Sequence, residues 1–149
     1  MFLESGKNAA ALTAMIIAFS EWVAPRLADG RYFGFIAEED GEAVAGIGLM
    51  EIEWPPHPLH PDSSRRGYVL NVFVKSSHRR KGIARVLMNA ADSEFSRRGI
   101  VYAILHATEA VRPLYESIGW SKTSEMAKII PREPSVPILG PGKAQPPPT

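Results

Sequence analysis

A cluster of cations around one glycine is the part of this sequence whose residue types point most directly to chemistry. The segment His78–Met88 (HRRKGIARVLM) follows the apolar run Tyr68–Val74 after a short polar link. A glycine allows the backbone to approach a ligand closely, and the first N–H groups of a helix lack partners and favour an anion. A β-strand, a basic glycine turn and a helix in this order predict a pyrophosphate site. The cations around it are Arg79, Arg80, Lys81 and Arg85.

The spacing in this turn differs from the common phosphate loops, since neither Gly-x-x-x-x-Gly-Lys-Ser/Thr nor Gly-x-Gly-x-x-Gly occurs. The sequence has Arg79-x-x-Gly82-x-Ala84 instead. This resembles the Arg/Gln-x-x-Gly-x-Gly/Ala signature of the GNAT superfamily, the GCN5-related N-acetyltransferases. A later segment, Arg112–Trp120 (RPLYESIGW), resembles the family's Leu-Tyr-Glu-x-Leu-Gly-Phe segment. The alternative is an ordinary helix N-terminus whose charges are solvated.

The elements predicted around these motifs follow the GNAT order. Asn8 is expected to cap a helix over 9–19, a second helical piece covers 20–28, and the turn Glu39–Gly41 joins strands over 32–38 and 43–54. Gly46 and Gly48 in the second strand suggest a bulge or a close backbone approach. The later predictions are a strand over 68–74, a helix to about 98, a strand over 100–107, a helix over 109–118 capped by Thr108, and one or two strands over 120–130.

The resemblance implies a mixed α/β sheet of the GNAT fold whose first strand, at Phe2–Glu4, is short or missing. Residues 1–130 are expected to form one domain, and 131–149, with seven prolines, a disordered tail. The helix after the basic turn is predicted to bury one face. That face comprises Ile83, Val86, Leu87, Ala90 and Ala91.

Composition narrows the function classes. The chain has 149 residues, 45% of them hydrophobic, as one globular domain requires. With no cysteine, disulfides, zinc–thiolate sites and cysteine nucleophiles are excluded. A net charge of +1 argues against nucleic-acid binding. The apolar run Ala9–Phe19 is too short to span a bilayer and lacks the flanks of a signal peptide, so we expect a cytoplasmic protein with no membrane partner.

The resemblance implies acetyl-CoA as co-substrate, with no metal. It implies that the backbone of Val72, Phe73 and Val74 holds the acetyl and pantetheine portions. It implies also that the pyrophosphate is bound by the segment Arg79, Arg80, Lys81, Gly82, Ile83, Ala84 and Arg85. The amine then attacks directly within a ternary complex, and the lack of cysteine agrees with a reaction that needs no covalent enzyme intermediate.

Tyr115 matches the family position of the general acid that protonates the CoA sulfur, and a phenol of pKa near 10 suits a developing thiolate. A core tyrosine is the alternative. His106, at a predicted strand end, and Glu53 are the preferred bases, with Glu51 and Glu125 also considered. Glu51 and Glu53 share a strand face and could flank a cationic acceptor, whereas a solvated edge is the alternative.

Asn71 lies in a mostly apolar strand and is predicted to orient substrate or to bind neighbouring backbone. His57, His60 and Asp62 could suggest a metal, but a mobile polar loop is the preferred interpretation. Taken together, the sequence predicts an N-acetyltransferase acting on a primary amine of a small molecule or peptide, with a homodimer possible. The alternative is a non-catalytic acyl-CoA-binding regulatory module of the same fold.

Overall fold

The computed structural model describes residues 6–132, in which a four-stranded sheet is packed between helices. The predicted remnant of a first strand at 2–4 and nearly all of the predicted tail, 133–149, lie outside these residues. A short 3-10 turn, Ser76–His78, precedes the second helix. The elements are α1 Gly6–Asp29, β1 Tyr32–Glu39, β2 Glu42–Glu53, β3 Arg65–Val74, α2 Ile83–Arg97, β4 Ala103–Leu105 and α3 Arg112–Ser117.

The sheet is mixed, as predicted, and its strand order is β1-β2-β3-β4. β1 pairs with β2 and β2 with β3 in antiparallel fashion, whereas β3 and β4 are parallel. The predicted hairpin is confirmed: Asp40 and Gly41 have φ values of 53° and 78°. Two left-handed residues give a turn whose twist matches that of the strands, which is why an Asp-Gly pair suits this position.

One face of the sheet carries the hydrophobic core. Phe95 and Leu87 of α2 pack against alternate residues of β2 and β3, which include Ile47, Leu49 and Val69. The prediction that Val86 belongs to this face is wrong, because its side chain is 66% exposed. At 100° per residue, the buried stripe Leu87, Met88, Ala91 and Phe95 puts Val86 on the far side of the helix.

The two predicted N-terminal helices form one continuous helix, α1, and Asn8 lies within it instead of capping it. No glycine lies near the junction of Phe19 and Ser20 that would end the helix there. Pro25 removes only the one hydrogen bond that its missing N–H would have donated. Arg26 donates a side-chain hydrogen bond to the Trp22 carbonyl (2.6 Å), which supports the turn next to the proline.

The extended helix changes the membrane argument made from the shorter run. Ala9–Asp29, with a mean hydropathy of 1.2, is long and apolar enough to cross a membrane by length and composition. This is weak evidence, because core helices and signal sequences have the same properties.

Three predictions for the C-terminal part are corrected. No strand forms over 121–132, where every residue is exposed, because no described strand offers this segment a hydrogen-bond partner. β4 covers only three of the predicted residues, since Ile100 instead closes the end of α2 by donating to the Phe95 carbonyl. Thr108 does not cap α3, whose N-cap is Val111; the Thr108 carbonyl accepts bonds from the N–H groups of Val111 and Arg112.

Candidate active site

The basic turn, residues Arg79–Gly82, has the backbone geometry of an anion site. Gly82 is the N-cap of α2 with φ of 79°, and Arg80 has φ of 63°. No side chain caps the helix, and its first turn has no acidic residue. Because helical bonding begins with Val86 N–H donating to the Gly82 carbonyl, the preceding N–H groups are free for a ligand. A Cβ built on Gly82 would meet nothing within 4 Å, so the turn faces open space.

The four cations of this region are exposed, and two of them are oriented by neutral partners. Arg79 Nε donates to the Val74 carbonyl at 3.2 Å, and Arg85 Nη2 donates to Ser117 Oγ at 3.3 Å. Between residues 6 and 132, none of the four lies within ion-pair distance of a carboxylate. Their charge is therefore not neutralised locally, as an anion site requires.

Next to the basic turn, β3 and β4 separate and expose a strand edge. They pair only from Gly67–Val69 to Ala103–Leu105, and β3 then continues to Val74 with no partner on that side among the described residues. A register shift opposite Gly48 and Leu49 leaves Leu70 as an extra residue, a β-bulge at the point of separation. This gap between the end of β4 and the unpaired part of β3 is called the opening below.

Two of the three β3 residues predicted to hold the pantetheine arm, Val72 and Val74, direct their backbone groups to the opening, whereas those of Phe73 face its partner Gly46 on β2. The Lys75 N–H donates to the Val44 carbonyl of β2. Because the N–H and carbonyl groups of successive residues point alternately toward and away from the antiparallel partner, those of Val74 and Val72 point away from β2. The bond from Arg79 to the Val74 carbonyl agrees with that direction. The side chain of Phe73, which is 53% exposed, lies on the face of the sheet opposite α2, with its ring against Gly46.

Tyr115 of α3 is half-buried against the core, and its ring meets Trp120 edge-on with centroids 6.5 Å apart. Burial raises the pKa of its phenol above 10, which keeps the proton on the oxygen. Its hydroxyl has no hydrogen bond to any described residue. The bond between Arg85 and Ser117 holds α3 beside the first turn of α2 and therefore beside the basic turn.

His106 is the first residue after β4 and thus lies at the edge of the opening. It is exposed, its ring centroid is 5.7 Å from that of Tyr68, and its Nε2 is 3.8 Å from the Glu125 carboxylate. Burial and, to a smaller extent, the charge of Glu125 raise the pKa of Tyr68. His106 is therefore solvent-accessible at the edge of the opening, with a carboxylate nearby.

Asn71 follows the bulge and lies on the face of the sheet opposite α2. Its Nδ2 donates to the Tyr32 hydroxyl at 2.9 Å. Tyr32 is 8% exposed and packs edge-on against Phe19 and Trp22 of α1, with centroids 6.2 Å away in each case. The partner that the sequence analysis required for Asn71 is thus a side chain brought by the first strand.

The two acidic candidates of β2 are far from the opening. Glu51 is paired with Arg65 (2.8 Å) and Arg98 (3.2 Å); burial acts to raise its pKa, but these bonds hold the pKa below 4.5. Glu51 is therefore not part of a solvated edge, and two arginines occupy the carboxylate that was expected to flank a cationic acceptor. Glu53, at the end of β2, pairs in register with Arg65, roughly 17 Å along β3 from the bulge at about 3.3 Å per residue. Glu53 lines a separate cleft with Asp29 and Arg31.

The interpretation of 54–66 as a mobile polar loop is wrong at His60, which is 1% exposed. Its Nε2 accepts from Arg66 Nε (2.9 Å) and its Nδ1 bonds the Ser63 carbonyl (2.9 Å), so both nitrogens are occupied. The Arg66 guanidinium lies between the rings of Trp54 and Tyr102, 4.2 and 4.7 Å from their centroids. No group of three metal-ligating side chains occurs among the described residues.

Comparison with known proteins decides the family. Residues 4–120 match the model of the "Acetyltransferase (GNAT) family". The chain belongs to this GNAT family. A GCN5-related N-acetyltransferase from Ralstonia eutropha JMP134 is 57% identical to it, with a TM-score of 0.80 over 87% of this chain and 85% of that one. Among curated proteins, none matches the sequence.

A predicted acetyltransferase with acetyl-CoA from Clostridium acetobutylicum is 27% identical, with a TM-score of 0.68 over 73% of this GNAT chain and 70% of its own. An aminoglycoside acetyltransferase from a soil metagenomic sample, in complex with trehalose, is 16% identical with a TM-score of 0.59, covering 74% and 72% of the two chains. At that identity the likeness shows the fold alone. Family membership supports N-acetyltransferase activity in general terms.

Tyr32, the partner of Asn71, was not among the candidate residues of the sequence analysis. A tyrosine at the start of a strand is ordinary and does not indicate a site. Its hydroxyl reaches Asn71 because the side chain passes across β2 at Gly48, which has no side chain to block it. The glycines of β2 were the available signal. The close approach that these glycines suggested is present at Gly48, where a Cβ would lie 1.8 Å from the Tyr32 hydroxyl, whereas the bulge at this register shift has its extra residue, Leu70, on β3 and not on β2.

Proposed function

We propose that this GNAT protein transfers the acetyl group of acetyl-CoA to a primary amine by direct attack in a ternary complex. The observation that carries the proposal is the uncapped, uncompensated basic turn opening onto the unpaired edge of β3. A pyrophosphate matches the free N–H groups and cations of the turn. A pantetheine arm, with its own amide groups, matches the N–H and carbonyl groups of Val72 and the N–H of Val74, whose carbonyl already accepts from Arg79 Nε. The neighbour solved with acetyl-CoA supports this co-substrate.

Two side chains, His106 at the opening and Tyr115 beside the basic turn, are our candidates for the proton transfers that the reaction needs. Acetyl-CoA provides a thioester; the amine nitrogen bonds to its carbonyl carbon, and the carbon–sulfur bond breaks. In our proposal His106 accepts a proton from the amine and Tyr115 donates one to the departing sulfur. The products are an acetamide and the free thiol, and exchange with water restores both side chains. The raised pKa of Tyr115 favours its protonated form before the transfer.

We propose His106 as the base in preference to Glu53. His106 directly follows the last paired residue of β4, whereas Glu53 lies at the opposite end of β3. Asn71, beside the bulge, is our proposed contact to the acceptor amine. Glu51 is engaged by two arginines and is not part of the proposed site. A small-molecule amine and a peptide amine both fit this chemistry.

The first experiment measures amine-dependent release of the CoA thiol over a panel of small amines, aminoglycosides and peptides. We expect turnover with at least one acceptor. An acetyl-CoA-induced rise in melting temperature without turnover on any amine would contradict catalysis and favour the non-catalytic acyl-CoA-binding module.

A second experiment tests the cofactor site by thermal shift, because a ligand that binds only the folded chain raises its melting temperature. Gly82→Asp adds an anion beside the phosphates and should abolish the rise caused by acetyl-CoA. Gly30→Asp is the matched control: Gly30 also has a positive φ (82°) and open space, but lies at the end of α1. Gly82→Asn separates charge from backbone strain and should retain part of the shift. An unchanged shift in Gly82→Asp would contradict the assignment.

A further inference from the structure

A three-residue arrangement on the face of the sheet opposite α2 has a chemical consequence beyond the proposed reaction. Gly34, Gly48 and Asn71 are aligned in register across β1, β2 and β3. The Tyr32 side chain crosses above Gly48 and its hydroxyl accepts the Asn71 Nδ2–H at 2.9 Å. The contact needs the glycine, since a Cβ at position 48 would lie 1.8 Å from that hydroxyl.

We propose that Tyr32 is a positioning residue that sets the amide of Asn71 so that its Oδ1 accepts a hydrogen bond from the acceptor amine. This inference rests on the proposed acetyl transfer and deepens it. With Nδ2 fixed on the tyrosine, the carbonyl oxygen of the amide is left for a ligand. Asn71 itself is exposed and directly follows the bulge at which the opening begins.

The burial of Tyr32 makes it suitable for this role. Its ring is clamped edge-on by Phe19 and Trp22 of α1, so the hydroxyl is held in place by side chains on another element. Packing alone would be satisfied by phenylalanine, whereas the hydroxyl is what contacts Asn71. Rigid aromatic support of a polar group is how a protein fixes a ligand contact without depending on the ligand.

The choice of an amide also has a chemical reason. A primary amine is protonated near neutral pH and must lose a proton before it attacks. A carboxylate at position 71 would stabilise the ammonium form and oppose that loss, whereas a neutral carbonyl accepts an N–H bond from either form. The geometry therefore favours an acceptor with at least two N–H hydrogens, one directed to Asn71 and one transferred to the base.

The experiment is a double-mutant cycle on Tyr32→Phe and Asn71→Ala, read as kcat/KM for the best amine of the panel and as the acetyl-CoA thermal shift. Loss of one hydrogen bond should lower acceptor kcat/KM about five- to tenfold in Tyr32→Phe while the shift is retained. In the Asn71→Ala background, Tyr32→Phe should have no further effect, because Tyr32 acts through Asn71. Tyr102→Phe, whose hydroxyl has no described partner, is the control and should keep native kinetics.

Asn71→Asp adds a readout that a purely structural role would not change. The new carboxylate should lower KM for a cationic acceptor and move the pH optimum of turnover upward by about one unit or more. Asn71 is exposed, so both Asn71 variants should fold even if Tyr32→Phe does not.

The outcomes separate the inference from the proposed function. If the native chain acetylates no amine, both the proposed acetyl transfer and the positioning role of Tyr32 are contradicted. If it is active but Tyr32→Phe is unchanged, or is equally impaired with and without Asn71, the positioning role is overturned and the proposed transfer stands. If Tyr32→Phe fails to fold, an unaltered pH optimum in Asn71→Asp and unaltered kcat/KM in Asn71→Ala overturn it instead.

Discussion

The basic turn and the Tyr32–Asn71 contact are built in opposite ways. The turn is contiguous in sequence, from Arg79 to Gly82, and its binding groups are mostly backbone N–H groups at the start of α2. The proposed acceptor side joins α1, β1, β2 and β3, and its decisive contact links residues 39 positions apart. The first region works through the main chain, the second through side chains that the fold brings together.

This difference predicts how each region tolerates change. A backbone anion site depends on left-handed φ values and open space, so most side chains outside Gly82 can vary there at moderate cost. A site made of side chains from several elements depends on each contact and on the small residues that let them meet. Mutations should therefore separate acetyl-CoA binding from acceptor use.

The largest effect is expected at Tyr115, which we place between the two regions. Tyr115→Phe keeps the ring against Trp120 but removes the proton donor, so turnover should fall roughly 10²–10⁴-fold while acetyl-CoA binding changes little. Turnover and thermal shift are measured on the same preparation, with Tyr102→Phe as the matched loss of a hydroxyl. Full activity in Tyr115→Phe would mean that it is a core tyrosine with no part in proton transfer.

The next largest effect is expected at Gly48, on the proposed acceptor side. Gly48→Ala directs a methyl group at the Tyr32 hydroxyl and should lower acceptor kcat/KM at least about tenfold, leaving the acetyl-CoA shift in place. Gly46→Ala is the matched control on the same strand face. Its Cβ would meet the Phe73 ring at 2.6 Å, but that side chain is exposed and can move aside. Equal losses in the two variants would show a general intolerance of β2 to larger residues.

A smaller effect concerns acid stability, away from both regions. The bonds from Arg65 and Arg98 hold the pKa of Glu51 below 4.5, and two arginines lower that of Glu94 to about 2. A lowered pKa contributes stability that is fully present above about pH 4.5 and is lost as pH falls through the folded-state value. Melting temperature should therefore decrease more gently below pH 4.5 in Glu51→Gln than in the native chain. Glu38→Gln, at an exposed position of β1, should follow the native curve.

The smallest effect is expected from ending the chain after Arg132. The removed segment is rich in proline and has little apolar surface to bury, so melting temperature and acetyl-CoA shift should stay nearly native. A loss of several degrees would show that these residues dock on the chain or on a second copy.

Most of the fold could be predicted from the sequence where the signal was local. The hairpin at Asp40–Gly41, the strand before the basic turn and the helix after it all form where their patterns indicated. The errors arose where the outcome depends on a partner. The division of the N-terminal helix after Phe19 is wrong, because the helix continues through Pro25 to Asp29, and the predicted strand over 120–130 has no neighbour to pair with among the described residues.

The sequence by itself determined the basic turn, our proposed cofactor end, because a positive-φ glycine, adjacent cations and a helix start are properties of one short segment. Only the tertiary structure decided our proposed acceptor end. In the folded chain Glu51 is paired with Arg65 and Arg98, and Glu53 lies far from the opening. The Tyr32 hydroxyl instead accepts a hydrogen bond from Asn71. The physical reason is that strand register and a bulge fix which distant side chains meet, and a shift of one residue would send each of them to the opposite face.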